Sequence, residues 1–274
     1  MTPLKPFLRW AGGKRWLIKK NTPIVPRNFN KYIEPFLGSA AVFFSIPNVD
    51  SFILSDINPD LVNCYIALKN DCTSVEKQLQ IHQANHSKNY YYQLRNSHPT
   101  KPHEQAARFI YLNRTCFNGL YRVNRQGGFN VPIGTRKTVL LDDDNFSEIS
   151  SKLAQGEILN QDFEATLSMA KKGDFIFIDP PYTVNHNLNG FIAYNEKIFR
   201  WEDQVRLKDS VVSAVERGAM ITMTNADHQS IRELYSDVCE FEQLERASVI
   251  AGDSAHRKVT SEILMRMGWR AEGS

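Results

Sequence analysis

The chain has 274 residues, enough for one large domain or a core carrying a sizeable insert. With 42% hydrophobic and 23% charged residues it has an ordinary globular composition. No apolar run approaches the roughly 20 residues a membrane-spanning helix needs, so a helical membrane protein is excluded. The net charge of +3 is small but segregated. Residues 1–33 hold eight Lys and Arg and no acid, and residues 95–137 hold eight against Glu104 alone. Such stretches suit a polyanionic partner, although a solvated basic face would read the same way. Cys64, Cys72, Cys116 and Cys239 lack CxxC spacing, so neither a zinc site nor a disulfide framework is expected. No metal, no membrane partner and a cytoplasmic location are the corresponding expectations.

In chain order, short apolar runs alternate with helical patterns. Tyr32-Ile33-Glu34-Pro35-Phe36 predicts a strand, followed through Gly38 and Ser39 by a helix over 40–45. Ser51-Phe52-Ile53-Leu54 predicts a second strand ending at Asp56, and Asn58-Pro59 opens a helix to about 69. Residues 60–145 are helical and polar, then turn hairpin-like around Gly127-Gly128. Strands are expected at 157–159, 174–178, 219–223 and 259–267, with helices over 201–217 and 229–235 between them. The alternation argues for an α/β sandwich around a mostly parallel sheet. The reading is a core of 1–59 and 146–274, interrupted by an insert at 60–145 that carries most of the basic charge.

Asp179-Pro180-Pro181-Tyr182 follows a strongly apolar strand, at the carboxyl end where open α/β sheets bind ligands. Two prolines fix φ and remove competing N–H groups. A carboxylate and a main-chain carbonyl held by such a turn form a pair of acceptors suited to an exocyclic amine. That amine is a poor nucleophile until its lone pair is drawn out of conjugation, and preorganised acceptors favour that change. Tyr182 offers a face on which a planar base can stack. An incidental acid in a strand-ending turn is the alternative. Glu34-Pro35-Phe36-Leu37-Gly38-Ser39 is a strand-to-helix turn without the full phosphate fingerprint. Asp56 lies 18 residues after Gly38, where a carboxylate can accept from ribose hydroxyls; it could equally cap the next helix. Phe7-Leu8-Arg9-Trp10-Ala11-Gly12-Gly13-Lys14 does not match a phosphate loop. Trp10 and Lys14 could instead cover and bind an anionic carboxylate.

Together these segments resemble the Dam-type, D12-class DNA adenine-N6 methyltransferases across nearly the whole chain. The resemblance is carried by residues 7–14, 32–38, 54–59, 111–132, Asp162-Phe163, 179–182 and 258–264, in the order of that family's α group. One departure is Gly38-Ser39-Ala40, where many relatives have a second glycine step. The resemblance implies a Rossmann-like fold and S-adenosyl-L-methionine as cofactor. Its contacts would fall at Trp10, Lys14, Glu34, Phe36, Gly38, Asp56, Asp162, Phe163 and Asp179, with Asp179, Pro180, Pro181 and Tyr182 as the catalytic run. It implies that 60–145 is the target-recognition domain, with Asn118-Gly119-Leu120-Tyr121-Arg122 reading a guanine beside the target adenine. Arg114, Asn118, Arg122, Asn124, Arg136, Lys137 and Tyr194 are the expected DNA contacts. A guanidinium can bond guanine O6 and N7 bidentately, although a phosphate contact would also suit Arg122. The expected substrate is duplex DNA, flipped at one adenine in a GATC site by a monomer, with residues 183–199 closing over the base. Another GAT-containing site and cytosine-N4 chemistry are the alternatives, and a non-catalytic DNA-binding module would have no use for Asp179, Asp56 and the cofactor turn together.

Overall fold

A computed structural model describes residues 3–20, 22–124, 127–184, 199–247 and 259–271. The chain divides into two compact units: residues 1–22 with 37–161, and residues 23–36 with 162–274.

The first unit contains helices α1 (Arg15–Ile18), α2 (Ala41–Ser45), α3 (Pro59–Ala84), α4 (Lys88–Asn96), α5 (Pro102–Thr115) and α6 (Phe146–Leu153). It also holds the strands β2 (Phe52–Asp56) and β3 (Glu157–Asn160), paired in parallel so that Asp56 faces Asn160. Asn58 starts α3: its side chain accepts from the N–H groups of Asp60 and Leu61, and Pro59 fills the first helical position. The helix does not end near residue 69. It kinks at Asp71 (φ −154°, ψ 67°), whose carboxylate accepts from Ser74 N–H and restarts it, and it continues to Ala84. Leu61, Val62, Tyr65, Leu68, Val75 and Leu79 form its buried stripe, against α5 and α6. After α5 comes a hairpin, joined by single antiparallel bridges at Cys116–Ile133 and Val123–Phe129. Asn124 N–H donates to Gly128 C=O at 2.8 Å, and Gly127 takes φ +80° at the bend.

In the second unit the strands β1 (Tyr32–Glu34), β4 (Phe175–Ile178), β5 (Met220–Ala226), β6 (Phe241–Ala247) and β7 (Val259–Met267) lie in the order β1-β4-β5-β7-β6. The pairs β1–β4 and β4–β5 are parallel, whereas β7 runs antiparallel between β5 and β6. Helices α7 (Phe163–Ser168), α8 (Trp201–Glu216) and α9 (Gln229–Tyr235) accompany them. Phe175, Ile176, Phe177 and Ile178 are all buried, as expected of a parallel strand covered on both faces. Strand β6 is absent from the sequence reading because Phe241-Glu242-Gln243-Leu244-Glu245 is mostly polar. It is an outer strand whose identity rests on its ladder with β7.

Candidate active site

In the first unit, Trp10 and Asp56, two of the residues expected at the cofactor, meet the turn at Gly38. Gly38 has φ +45°, and a Cβ there would lie 2.9 Å from Trp10 Cδ1, so the indole edge sits where any larger residue would project. Gly38 N–H donates to Asp56 Oδ2 at 3.3 Å, Asn58 N–H donates to Oδ1 at 3.0 Å, and Tyr65 O–H donates to the Gly38 carbonyl at 3.2 Å. Asp56 is therefore not the cap of α3, a role that falls to Asn58; it braces the turn. Burial raises the Asp56 pKa to about 6, against the opposing pull of the Asn58, Gly38 and Ile57 N–H groups. Trp10 stacks on Tyr121 (5.6 Å, 20°) and Phe109 (6.5 Å, 27°), and Tyr121 O–H donates to Asp60 at 2.8 Å. Lys14 is 3% exposed, and its ammonium donates to the Gly12 carbonyl at 2.7 Å.

The second unit carries the Asp-Pro-Pro-Tyr run directly after β4. Thr224 O–H donates to Asp179 Oδ1 at 2.8 Å, and Tyr182 O–H donates to Glu262 Oε2 at 2.7 Å. Burial, then the Asp179 and Glu262 carboxylates, hold the Tyr182 phenol well above its usual pKa, so it remains a donor. Phe36 stacks on Phe163 (5.5 Å, 22°), and Phe199 meets both edge-on. Asp162 caps α7 by accepting from Glu164 N–H and pairs with Arg206, whose guanidinium lies 4.9 Å from the centre of the Phe163 ring. Glu34 is 3% exposed and accepts from Tyr32 O–H at 2.9 Å.

Of the residues expected at DNA, Asn118, Arg122, Asn124, Arg136 and Lys137 are exposed in the first unit. Arg122 Nε donates to Asn130 at 3.0 Å across the hairpin, and Asn118 sits at φ +55°. Arg9 joins this basic group: burial, then the nearby Arg136 charge, lowers its pKa. Arg114 must be corrected. It is 2% exposed, and its guanidinium donates twice to the Phe7 carbonyl, once to the Val139 carbonyl and twice to Asp144. All five of its donors are used inside the protein, so none is available to a phosphate. Tyr194 and most of the expected lid, residues 185–198, lie outside the described residues. Among the described residues no group of three or more His, Cys, Asp and Glu could hold a metal ion. The sequence assigns no role to Glu262 and Thr224, whereas it places Asn58 at the opening of α3 and Tyr121 in the run expected to read a guanine. The one signal for Glu262 is an acid directly before the apolar run Ile263-Leu264-Met265.

Parallel strands with helical crossovers, a strand-to-helix turn braced by an acid, and an Asp-Pro-Pro-Tyr run after a central strand define a Rossmann-like α/β methyltransferase. Comparison with known proteins makes this more specific. The profile of the D12 class N6 adenine-specific DNA methyltransferases matches residues 10–250. A type II methyltransferase of Lactococcus lactis subsp. cremoris is 34% identical over 96% of this chain and 95% of its own. A DNA adenine methylase of Haemophilus influenzae is 34% identical over 97% and 94%, and a type II methyltransferase of Methanocaldococcus jannaschii is 35% identical over 81% and 84%. The chain belongs to the D12 class of N6 adenine-specific DNA methyltransferases.

Proposed function

We propose that the protein transfers the methyl group of S-adenosyl-L-methionine to N6 of an adenine that is flipped out of a GATC site in duplex DNA. The observation that carries this reading is the braced Asp179 carboxylate at the end of β4, followed by two prolines and a tyrosine. When bound, the cofactor supplies an electrophilic methyl group on a sulfonium. The residues of the first unit suit such a group. Asp56 is a carboxylate with acceptor capacity for ribose hydroxyls, Gly38 keeps the turn bare beside the Trp10 indole, and Lys14 is a buried ammonium matched to a carboxylate. Glu34, Phe36, Asp162, Phe163 and Asp179 are proposed as further cofactor contacts.

The chain's own part in the chemistry is to make a weak nucleophile stronger. Asp179 and the Pro180 carbonyl accept the two N–H groups of N6, favour a more tetrahedral nitrogen and stabilise the positive charge that develops on it. Tyr182 stacks on the extruded base, which offsets part of the few kcal/mol that unstacking costs. Positioning of this kind can supply roughly 7–11 kcal/mol of the barrier reduction. Asn118, Arg122 and Asn124 read the site from the hairpin, while Arg136 and Lys137 neutralise phosphates. Residues 60–145 act as the recognition domain of a monomer, and residues 183–199, with Tyr194, close over the base.

The test is cofactor-dependent methylation of unmodified genomic DNA with modified bases mapped by sequence. N6-methyladenine confined to GATC supports the full reading. N6-methyladenine in another context keeps the reaction and overturns the site. N4-methylcytosine would overturn the proposed base.

A further inference from the structure

Glu262 places a carboxylate in the interior of the second unit, where an acid is costly unless its oxygens are bonded. It is 5% exposed and lies in β7, hydrogen-bonded on both sides, opposite Ala226 of β5 and Leu244 of β6. The next three residues, Ile263, Leu264 and Met265, are fully buried and apolar. Glu262 accepts the phenolic proton of Tyr182 at 2.7 Å. Packing alone does not call for this pair, since two apolar side chains of similar shape would fill the same space at little or no loss of stability.

We propose that Glu262 is the positioning residue for Tyr182, fixing the plane of the ring on which the target adenine stacks. Conjugation keeps a phenolic O–H in the plane of its ring, so the position of the acceptor sets the orientation of that plane. The other end of the side chain is anchored by the turn that Pro180 and Pro181 stiffen. With both ends held, the aromatic face is set before the base arrives, and little ordering remains to be done during the reaction. Strands β5 and β7 thus brace the run twice, Thr224 at Asp179 and Glu262 at Tyr182. The inference rests on the proposed stacking of an extruded adenine on Tyr182.

Four variants test it: Y182F, E262A, E262Q and the double variant Y182F/E262A. Single-turnover methylation is measured at saturating duplex and cofactor. Duplex affinity and sinefungin affinity are measured separately, and 2-aminopurine in place of the target adenine reports extrusion by its fluorescence. Y182F and E262A are each expected to slow methylation roughly ten- to a hundredfold, with both affinities within about twofold of the parent protein. The double variant should be no slower than the slower single variant, because Y182F already removes the bond to Glu262, together with the phenol's contact with Thr224. E262Q, whose amide oxygen still accepts the phenolic proton, should recover most of the rate. A Y182F protein that methylates at the parent rate overturns the proposal even if E262A does not fold. So does a double variant slowed by the product of the single effects, which would mean that the two residues act independently. If 2-aminopurine in the parent complex stays dim, the extrusion reading has failed, and that outcome is separate from the behaviour of the variants.

Discussion

Asp56 receives N–H groups from Gly38 and Asn58, yet burial still lifts its pKa to about 6 from an ordinary 3.8. A raised carboxyl pKa means the folded protein holds the proton more tightly than the unfolded chain. This group's contribution to stability is therefore fully present below pH 4 and is lost as pH rises through about 6. In the proposed cofactor contact, ribose hydroxyls would donate to the ionised form, so cofactor binding should show the opposite trend. Affinity measured by calorimetry is expected to be flat above pH 6 and to weaken by about tenfold per unit below it. An Asp56→Asn variant should bind weakly at every pH and lose that dependence. At the Asp-Pro-Pro-Tyr run, Thr224→Val removes the donor to Asp179 Oδ1 while keeping the side-chain shape. The methylation rate should fall by about one to two orders of magnitude, the worth of a hydrogen bond to a charged group. The roles of Asp179 and Asp56 could be proposed from sequence because each sits at a strand's end in a recognisable spacing. Those of Thr224 and Glu262 could not, since each is defined by a partner 45 or 80 residues away. Arg114 misled for the same reason: its charge is plain in the sequence, and the carbonyls that consume it are not.

Among the elements, α9 and β7 fall where periodicity and strand composition placed them, over Gln229–Tyr235 and Val259–Met267. Strand β5 extends further than its apolar run, because Thr224, Asn225 and Ala226 pair with β7 although their composition is that of a loop. The extent of α3 was hidden by Asp71, which breaks the helical φ/ψ for one residue without ending the helix. The turn between β1 and α2 holds a local conflict. Ala40, 1% exposed, takes the left-handed conformation (φ 51°) at the head of α2. A residue with a Cβ costs about 1–2 kcal/mol in that region, while glycine gives back part of the gain through chain entropy. Ala40→Gly should therefore raise the unfolding free energy by up to about 1 kcal/mol, read from urea denaturation. An unchanged or lower value would mean that the lost methyl packing outweighs the relief of strain.

For the whole molecule, affinity and specificity should separate experimentally. Lys137→Ala removes an exposed charge, and it should weaken binding on every sequence and reduce the slope of log affinity against log salt by about one. Arg122→Ala should instead cost about 1–3 kcal/mol of discrimination at one guanine, read by comparing methylation of the preferred site with single-base variants. If Arg122→Ala slowed all sequences equally, its contact would be to phosphate. The segregation of basic residues was visible in the sequence, whereas which of them face outward was not. Within the first unit, Phe7 and Arg9 are fastened to the end of α5. Arg114 grips the Phe7 carbonyl, and the Asn113 amide exchanges two hydrogen bonds with the Arg9 backbone. With residues 60–145 as the proposed recognition domain, that fastening bears on how new specificities could be engineered. A chimera that grafts residues 60–145 from a relative inherits whatever occupies positions 113, 114 and 144, and it keeps the host's segment 7–10. Grafts that carry Asn, Arg and Asp at those three positions bring their own clasp to any host, since its counterparts are main-chain atoms. Grafts with an arginine at 114 but no acid at 144 would bury an unpaired cation and lose the fold before their specificity could be read.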